Sequence, residues 1–130
     1  MKLQIKNFNK FKDVTGSLVP FYKKKSLNNF DIKRFFFIYG NKKFMRADHA
    51  HSKCNQVLIP VNGSARVNIF NLKKVKKTFL INDRNKKYLI IPKFHFIQIK
   101  FLKKDSILLT LCDYKYDKKE YIQKKEFFSL

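Results

Sequence analysis

The chain has 130 residues and a formal charge of +21, which makes one domain, long enough to bury a core without disulfide or metal staples. Arg34, Arg46, Arg66 and Arg84 are the arginines among 30 basic residues, and the lysines lie in short runs along the whole length, so the charge reads as solvated surface and not as a nucleic-acid face. The longest apolar stretch, Phe35 to Tyr39, is far too short to cross a bilayer, and Met1 to Lys12 alternates polar and apolar residues without a leader's apolar run, so the chain is expected to be cytoplasmic with no membrane partner.

In chain order, runs rich in Val, Ile, Phe and Tyr predict strands over Ser17 to Tyr22, Ile32 to Tyr39, Gln56 to Val61, Ala65 to Phe70, Lys77 to Ile81, Tyr88 to Ile91, Phe94 to Phe101 and Ser106 to Cys112. Turn chemistry separates them at Thr15-Gly16, Gly40-Asn41, Asn62-Gly63, Asn82-Asp83 and Lys103-Lys104-Asp105. Asn62-Gly63 is the strongest hairpin signal, because a type I′ turn needs positive φ at both central residues; it predicts that Val57 to Val61 and Ala65 to Phe70 pair antiparallel. Pro92 ends the strand before it or marks an edge. From Asp117 onward, Tyr121, Ile122, Lys125 and Phe128 can share one face of a short helix, or the segment packs as an irregular arm. There is no linker and no repeat. One all-β barrel or sandwich spanning residues 1–130 is expected.

Cys54 and Cys112 form no closely spaced ligand pair, so reduced thiols are expected. His49-Ala50-His51 carries more information, because side chains two apart on an extended strand project from one face. The spacing H-x-H-x4-[E/Q]-x6-G, completed here by Gln56 and Gly63, resembles the first motif of the cupins, small β-barrels that usually bind a divalent metal through two His, a Glu and a third His. The family's second motif, P-x-G-x2-H, would start at Pro92 and finds Phe94 and Ile97 where its Gly and His belong. Two neutral imidazoles and an amide make a poor divalent site, so no metal is expected. An imidazole titrating near neutrality can instead take and return a proton.

The resemblance extends further. Arg46-Ala47-Asp48-His49-Ala50-His51, Gln56-Val57-Leu58 and Asn62-Gly63-Ser64 are similar to the R-G-x-H-A-H-K-x-x-x-Q-x-L-x-x-x-x-G-S pattern of the WxcM-like cupins. Gly16-Ser17-Leu18 and Ile32-Lys33-Arg34 match that family's R-G-x-L and I-K-R, and Asp113 to Asp117 with Glu120-Tyr121-Ile122 resembles its D-Y-Y-D-x-x-D-Y-I. The resemblance implies a cupin-type jelly roll with a short C-terminal helix or arm, and a sugar 3,4-ketoisomerase acting on dTDP-4-keto-6-deoxyglucose without a cofactor, in the making of a surface glycan. It implies His51 as the base with His49 as shuttle or orienter, and a homodimer with or without exchange of N-terminal strands. Arg46 and Arg34 are candidates for the diphosphate, Gln56 for the sugar or a histidine, and Tyr116 or Tyr114 for the nucleotide. Where the family has a tyrosine pair this chain has Phe35-Phe36-Phe37, leaving Tyr39 as the nearest hydroxyl, and His95 is expected on the same strand face as residue 97, where the family has a histidine. Ala47 and Ser52 replace the family's Gly and Lys. The alternatives are a related nucleotide-sugar epimerase and a noncatalytic sugar-binding cupin.

Overall fold

Branched and aromatic side chains fill a half-buried pleated surface, and here they build two stacked sheets. In a computed structural model, which describes residues 1–22 and 27–130, the strands are β1 (Gln4–Asn7), β2 (Phe11–Asp13), β3 (Gly16–Leu18), β4 (Arg34–Tyr39), β5 (Met45–His51) and β6 (Gln56–Asn62). They continue with β7 (Ser64–Phe70), β8 (Lys76–Asn82), β9 (Lys87–Ile91), β10 (Phe96–Phe101), β11 (Ile107–Cys112) and β12 (Tyr121–Gln123), and one helical turn follows, α1 (Lys124–Phe127). The Lys23-Lys24-Lys25 run, read above as solvated charge, lies outside the described residues.

One antiparallel sheet has the order β1-β9-β6-β11-β4 and the other β12-β5-β10-β7-β8, the jelly-roll architecture expected. Their facing surfaces meet in a core to which Leu58, Leu89, Ile91 and Leu108 contribute from the first sheet, and Val67, Ile69, Ile81, Ile97, Ile99 and Phe101 from the second. Each such side chain, fully buried, contributes about 1.5–3 kcal/mol. The opposite parity of the first sheet, Val57, Tyr88, Ile90 and Leu111, is covered by Leu27 and Phe30 with Phe8 and Phe21. On the outer side of the second sheet, Ala50 and Phe96 pack against Ile122 of β12 and Phe127 of α1.

Asn62-Gly63 does not make the hairpin its sequence predicts. β6 pairs with β9 and β11, β7 pairs with β8 and β10, and Gly63 carries the chain from one sheet to the other. Its φ of 78° meets the backbone demand that the pattern detects, yet a Cβ there would lie 2.2 Å from Ser106 Oγ and 2.8 Å from Ser106 Cα. Glycine is needed for close approach as well as for φ, and the dipeptide alone does not say which strands follow. The N-terminal alternation holds two strands that sequence reading left unassigned, with Ile5 of β1 packed against the core. The C-terminal segment, expected as a short helix or an irregular arm, is a 3₁₀ turn at Lys118–Glu120, then β12, then a single turn of helix. Tyr121 and Ile122 obey the sheet's pairing because β5 supplies an open edge to them.

Candidate active site

The two histidines owe their position to a bulge in β5. Along the β5–β10 ladder Ile99 faces Arg46 and Ile97 faces His49, whereas Gln98 faces only Ala47, so Asp48 is an extra residue. Ala47 and Asp48 take φ values of 67° and 61°, the left-handed region that the family's glycine would occupy without strain. For alanine this conformation costs roughly 1–2 kcal/mol. The extra residue resets the alternation: Arg46, three positions before His49, now lines the same cavity, which strict period two would forbid.

That cavity, about 330 Å³, opens between the sheets on the side where β4 lies opposite β5 and β12. Arg34, Phe36 and Ile38 of β4, Gln56 and Leu58 of β6 and Thr110 of β11 form one wall. Ala47 and His49, Ile97 and Ile99, and Tyr121 form the other, with Tyr116 and Arg46 completing it. Arg34 is held by Nε donating to the Tyr114 carbonyl at 3.2 Å and an Nη donating to the Tyr121 hydroxyl at 3.4 Å. Its guanidinium lies 5.2 Å from the Phe36 ring centre and 5.6 Å from that of Tyr116. The arrangement leaves a cation clamped between aromatic faces at the cavity wall.

His51 sits behind His49, almost fully buried, with ring centres 4.9 Å apart and edge to face. Tyr121 packs on both imidazoles, at 4.9 Å from His49 and 4.5 Å from His51. His49 donates from Nδ1 to the Ala47 carbonyl at 2.9 Å, a bond the bulge itself supplies. His51 donates from Nδ1 to Glu120 Oε2, while its Nε2 has no partner among the described residues. Glu120, 2% exposed, is held in turn by the backbone N–H groups of Lys53 and Cys54, both 3.1 Å from Oε1. The segment carrying those donors is tied to the end of β11 through Asn55, whose N and Nδ2 reach the two carboxylate oxygens of Asp113 at 2.7 Å. A carboxylate fixed in this way selects the Nδ1–H tautomer of His51 and leaves a lone pair on Nε2.

Burial is the main cause that lowers the pKa of both histidines from the ordinary value near 6.5. For His49 it acts with the neighbouring His51 to bring the value to about 4, against the Ala47 carbonyl. For His51 the Glu120 hydrogen bond opposes the same desolvation. Both rings are therefore neutral at pH 7, the form that accepts a proton.

Of the residues expected from sequence, Arg34, Arg46, His49, Gln56 and Tyr116 line the cavity, and His51 stands directly behind it. Two do not belong. Tyr39 is 74% exposed because β4 alternates, with Arg34, Phe36 and Ile38 turned inward and Tyr39 turned out. His95 precedes β10, which begins at Phe96, so the strand parity linking it to residue 97 never applies; its Nδ1 is bound to the Pro92 and Lys93 carbonyls at 3.1 Å and it borders a different surface depression. Sequence reasoning missed Glu120 and Tyr121 as site residues. Their signal was present in the match of Glu120-Tyr121-Ile122 to the family's D-Y-I, but nothing local ties a residue near the C-terminus to His51. The two cysteines also converge: their mutual interaction pushes Cys54 up and draws Cys112 down, the Cys54 thiol donates to the Asn55 carbonyl at 3.4 Å, and Gln56 Nε2 donates to Cys112 Sγ at 3.6 Å.

The donor set does not fit a divalent cation. Gln56 and Ile97, which take the places of the other two cupin ligands, supply a neutral amide and a hydrocarbon, and the Glu120 carboxylate that touches His51 already spends its oxygens on that ring and two backbone donors.

Comparison with known proteins agrees with the architecture. The family model FdtA, described as WxcM-like, C-terminal, matches residues 1–130. A TDP-4-oxo-6-deoxy-alpha-D-glucose-3,4-oxoisomerase of Aneurinibacillus thermoaerophilus is 30% identical over 129 residues, which cover 98% of this chain and 91% of that protein. A solved 3,4-ketoisomerase from Helicobacter canadensis superposes with a TM-score of 0.87 at 32% identity, covering 99% of this chain and 96% of that one. QdtA, a sugar 3,4-ketoisomerase from Thermoanaerobacterium thermosaccharolyticum solved in complex with TDP, does so with a TM-score of 0.85 at 29% identity, covering 97% and 90%.

Proposed function

The chain belongs to the FdtA family, WxcM-like, C-terminal, and on that premise we propose that it is a nucleotide-sugar 3,4-ketoisomerase converting TDP-4-keto-6-deoxyglucose to the 3-keto isomer. The observation that carries the reading is the Glu120–His51 pair, whose outer nitrogen has no partner among the described residues and stands behind a cavity lined by a second neutral histidine.

The carbonyl at C4 acidifies the proton on C3. His51 Nε2 takes that proton, the C3–H electrons form the C3–C4 double bond, and the C4 oxygen becomes an enediolate. The same proton, or one from solvent, returns to C4, and the C3 hydroxyl gives up its proton as the C3 carbonyl forms. Substrate and product have the same composition, so the reaction needs no redox cofactor. Glu120 stabilises the imidazolium formed in the first step, and His49, 4.9 Å away centre to centre, moves the proton between the two oxygens. Arg34 and Arg46 bind the diphosphate, Tyr116 the nucleotide and Gln56 the sugar. Incubation with TDP-4-keto-6-deoxyglucose in heavy water, followed by NMR, tests the reading: deuterium at C4 and a ketone at C3 are expected, in the presence of chelator as in its absence. A sugar that stays 4-keto and unlabelled at both carbons would rule it out.

The working form in this reading is a homodimer. Phe35 and Phe37 of β4 are 61% and 47% exposed on the outer face of the first sheet, and among the described residues the β2–β3 hairpin pairs only with itself, with Phe11 and Leu18 solvent-exposed. Apolar surface of this kind favours burial against a second copy. Phe37→Glu is expected to give the monomer mass in sedimentation where the parent chain gives twice that; a parent chain that sediments as a monomer would count against the dimer.

A further inference from the structure

Thr110 is a buried hydroxyl without a use in the fold. It lies on β11, in register with Leu58 of β6 on one side and Phe36 of β4 on the other, so its neighbours along the cavity wall are hydrocarbon. The residue is 1% exposed, and among the described residues its Oγ1 has no hydrogen-bond partner. A buried hydroxyl left unpaired destabilises the folded state, whereas valine, of the same shape, would fill the position without that penalty. The other unpaired buried polar atoms among the described residues are His51 Nε2, in the same site, and the Tyr88 hydroxyl, which belongs to the separate cluster outside the first sheet. Thr110 Oγ1 is therefore a polar atom on the cavity wall that the described residues leave unpaired, with His51 Nε2 behind that wall, and a hydroxylated ring is the ligand chemistry that satisfies the hydroxyl.

We propose that Thr110 is a sugar-binding residue whose hydroxyl hydrogen-bonds an oxygen substituent of the hexose and holds the ring against the histidines. The inference rests on the ketoisomerase reading and assigns it a contact that the charged residues do not make. Arginine forks suit the diphosphate, but they cannot set the orientation of a neutral ring on the apolar wall formed by Phe36, Ile38 and Leu58. One neutral hydrogen-bond donor on such a wall selects among rotations of the sugar, because a mismatched orientation leaves it unpaired.

The test compares Thr110→Val and Thr110→Ser with the parent chain in three measurements: kcat/KM for TDP-4-keto-6-deoxyglucose, the Kd for TDP alone and the urea midpoint. Thr110→Val is expected to lower kcat/KM about tenfold, the worth of one neutral hydrogen bond to bound substrate, with TDP affinity unchanged and the urea midpoint equal or higher. Thr110→Ser keeps a hydroxyl and is expected to retain most of the activity. Unaltered kcat/KM in Thr110→Val would overturn the inference while the ketoisomerase reading stands. So would a lower urea midpoint together with weaker TDP binding, or Thr110→Ser as impaired as Thr110→Val, since each marks a structural role. If Thr110→Val does not fold, the serine variant decides through its own kcat/KM and TDP affinity. A parent chain without turnover removes the ketoisomerase reading and this inference with it.

Discussion

His51→Asn is expected to fold as the parent chain does and to lose isomerisation by roughly 10²–10⁴-fold, the range that a positioned general base supplies. An asparagine amide can still donate toward Glu120 Oε2, so the buried carboxylate keeps a partner and the fold is spared an unpaired charge. What disappears is the lone pair at the Nε2 position. His49→Asn should cost less, because the Glu120-backed base remains and only the transfer between oxygens slows. Deuterium exchange at C3 separates the two: absent in His51→Asn, present in His49→Asn. The reverse result would assign the carbon proton to His49, the histidine that borders the cavity itself. The pH profile follows from the same burial. With His49 near 4 and His51 below its ordinary value, both bases keep the neutral form to lower pH than a free imidazole does, so the acid limb of kcat should lie below 6.5. Stability has the matching sign. The unfolded chain takes up protons on these histidines near pH 6.5 and the folded chain does not, so unfolding becomes easier as pH falls from 6.5 toward 4. A kcat that halves near pH 6.5 would contradict the buried, neutral pair.

The sequence carried the strands, an all-β sandwich or barrel and the facing histidines because period two and the H-x-H spacing are local properties of the chain, while the jelly roll came from the resemblance to the cupins. It failed where one local pattern serves two global outcomes. Asn62-Gly63 has the chemistry of a hairpin turn, but the Ser106 backbone pressed against Gly63 makes it a passage between sheets. Two residues were misplaced for different reasons, Tyr39 as the nearest hydroxyl in sequence and His95 by strand parity with residue 97. Tyr39 stands on the outward parity of β4, opposite to Arg34, and His95 lies before its strand begins. Arg46 borders the cavity although strict counting from His49 sends it to the opposite face, because the bulge at Asp48 shifts the alternation. The replacement of the family's glycine by Ala47 was visible in the sequence; that position 47 needs a positive φ was not.

Glu120 shows how much of the chemistry lay beyond local reading, and Glu120→Gln should expose it. The amide is nearly the same shape, so packing barely changes, but its two ends are no longer equivalent. Oε1 accepts from the backbone N–H of Lys53 and of Cys54, neither of which can turn away. The glutamine oxygen must therefore occupy that position, and its NH₂ group faces His51 Nδ1. The imidazole can meet an N–H donor there only as an acceptor, which moves its own proton to Nε2 and removes the lone pair that takes the C3 proton. The imidazolium also loses its counter-charge. Loss of kcat on the order of 10²–10⁴-fold is expected, comparable to the amide replacement of a carboxylate that orients a catalytic histidine in hydrolases. TDP affinity should be unchanged, because Glu120 is buried behind the cavity and does not line it. The readout that a merely structural carboxylate would not move is the tautomer: nitrogen NMR should show His51 Nε2 passing from the unprotonated to the protonated type in Glu120→Gln. Full activity in that variant, or loss of activity with the tautomer unchanged, would sink the assignment of Glu120 as the group that keeps His51 a base.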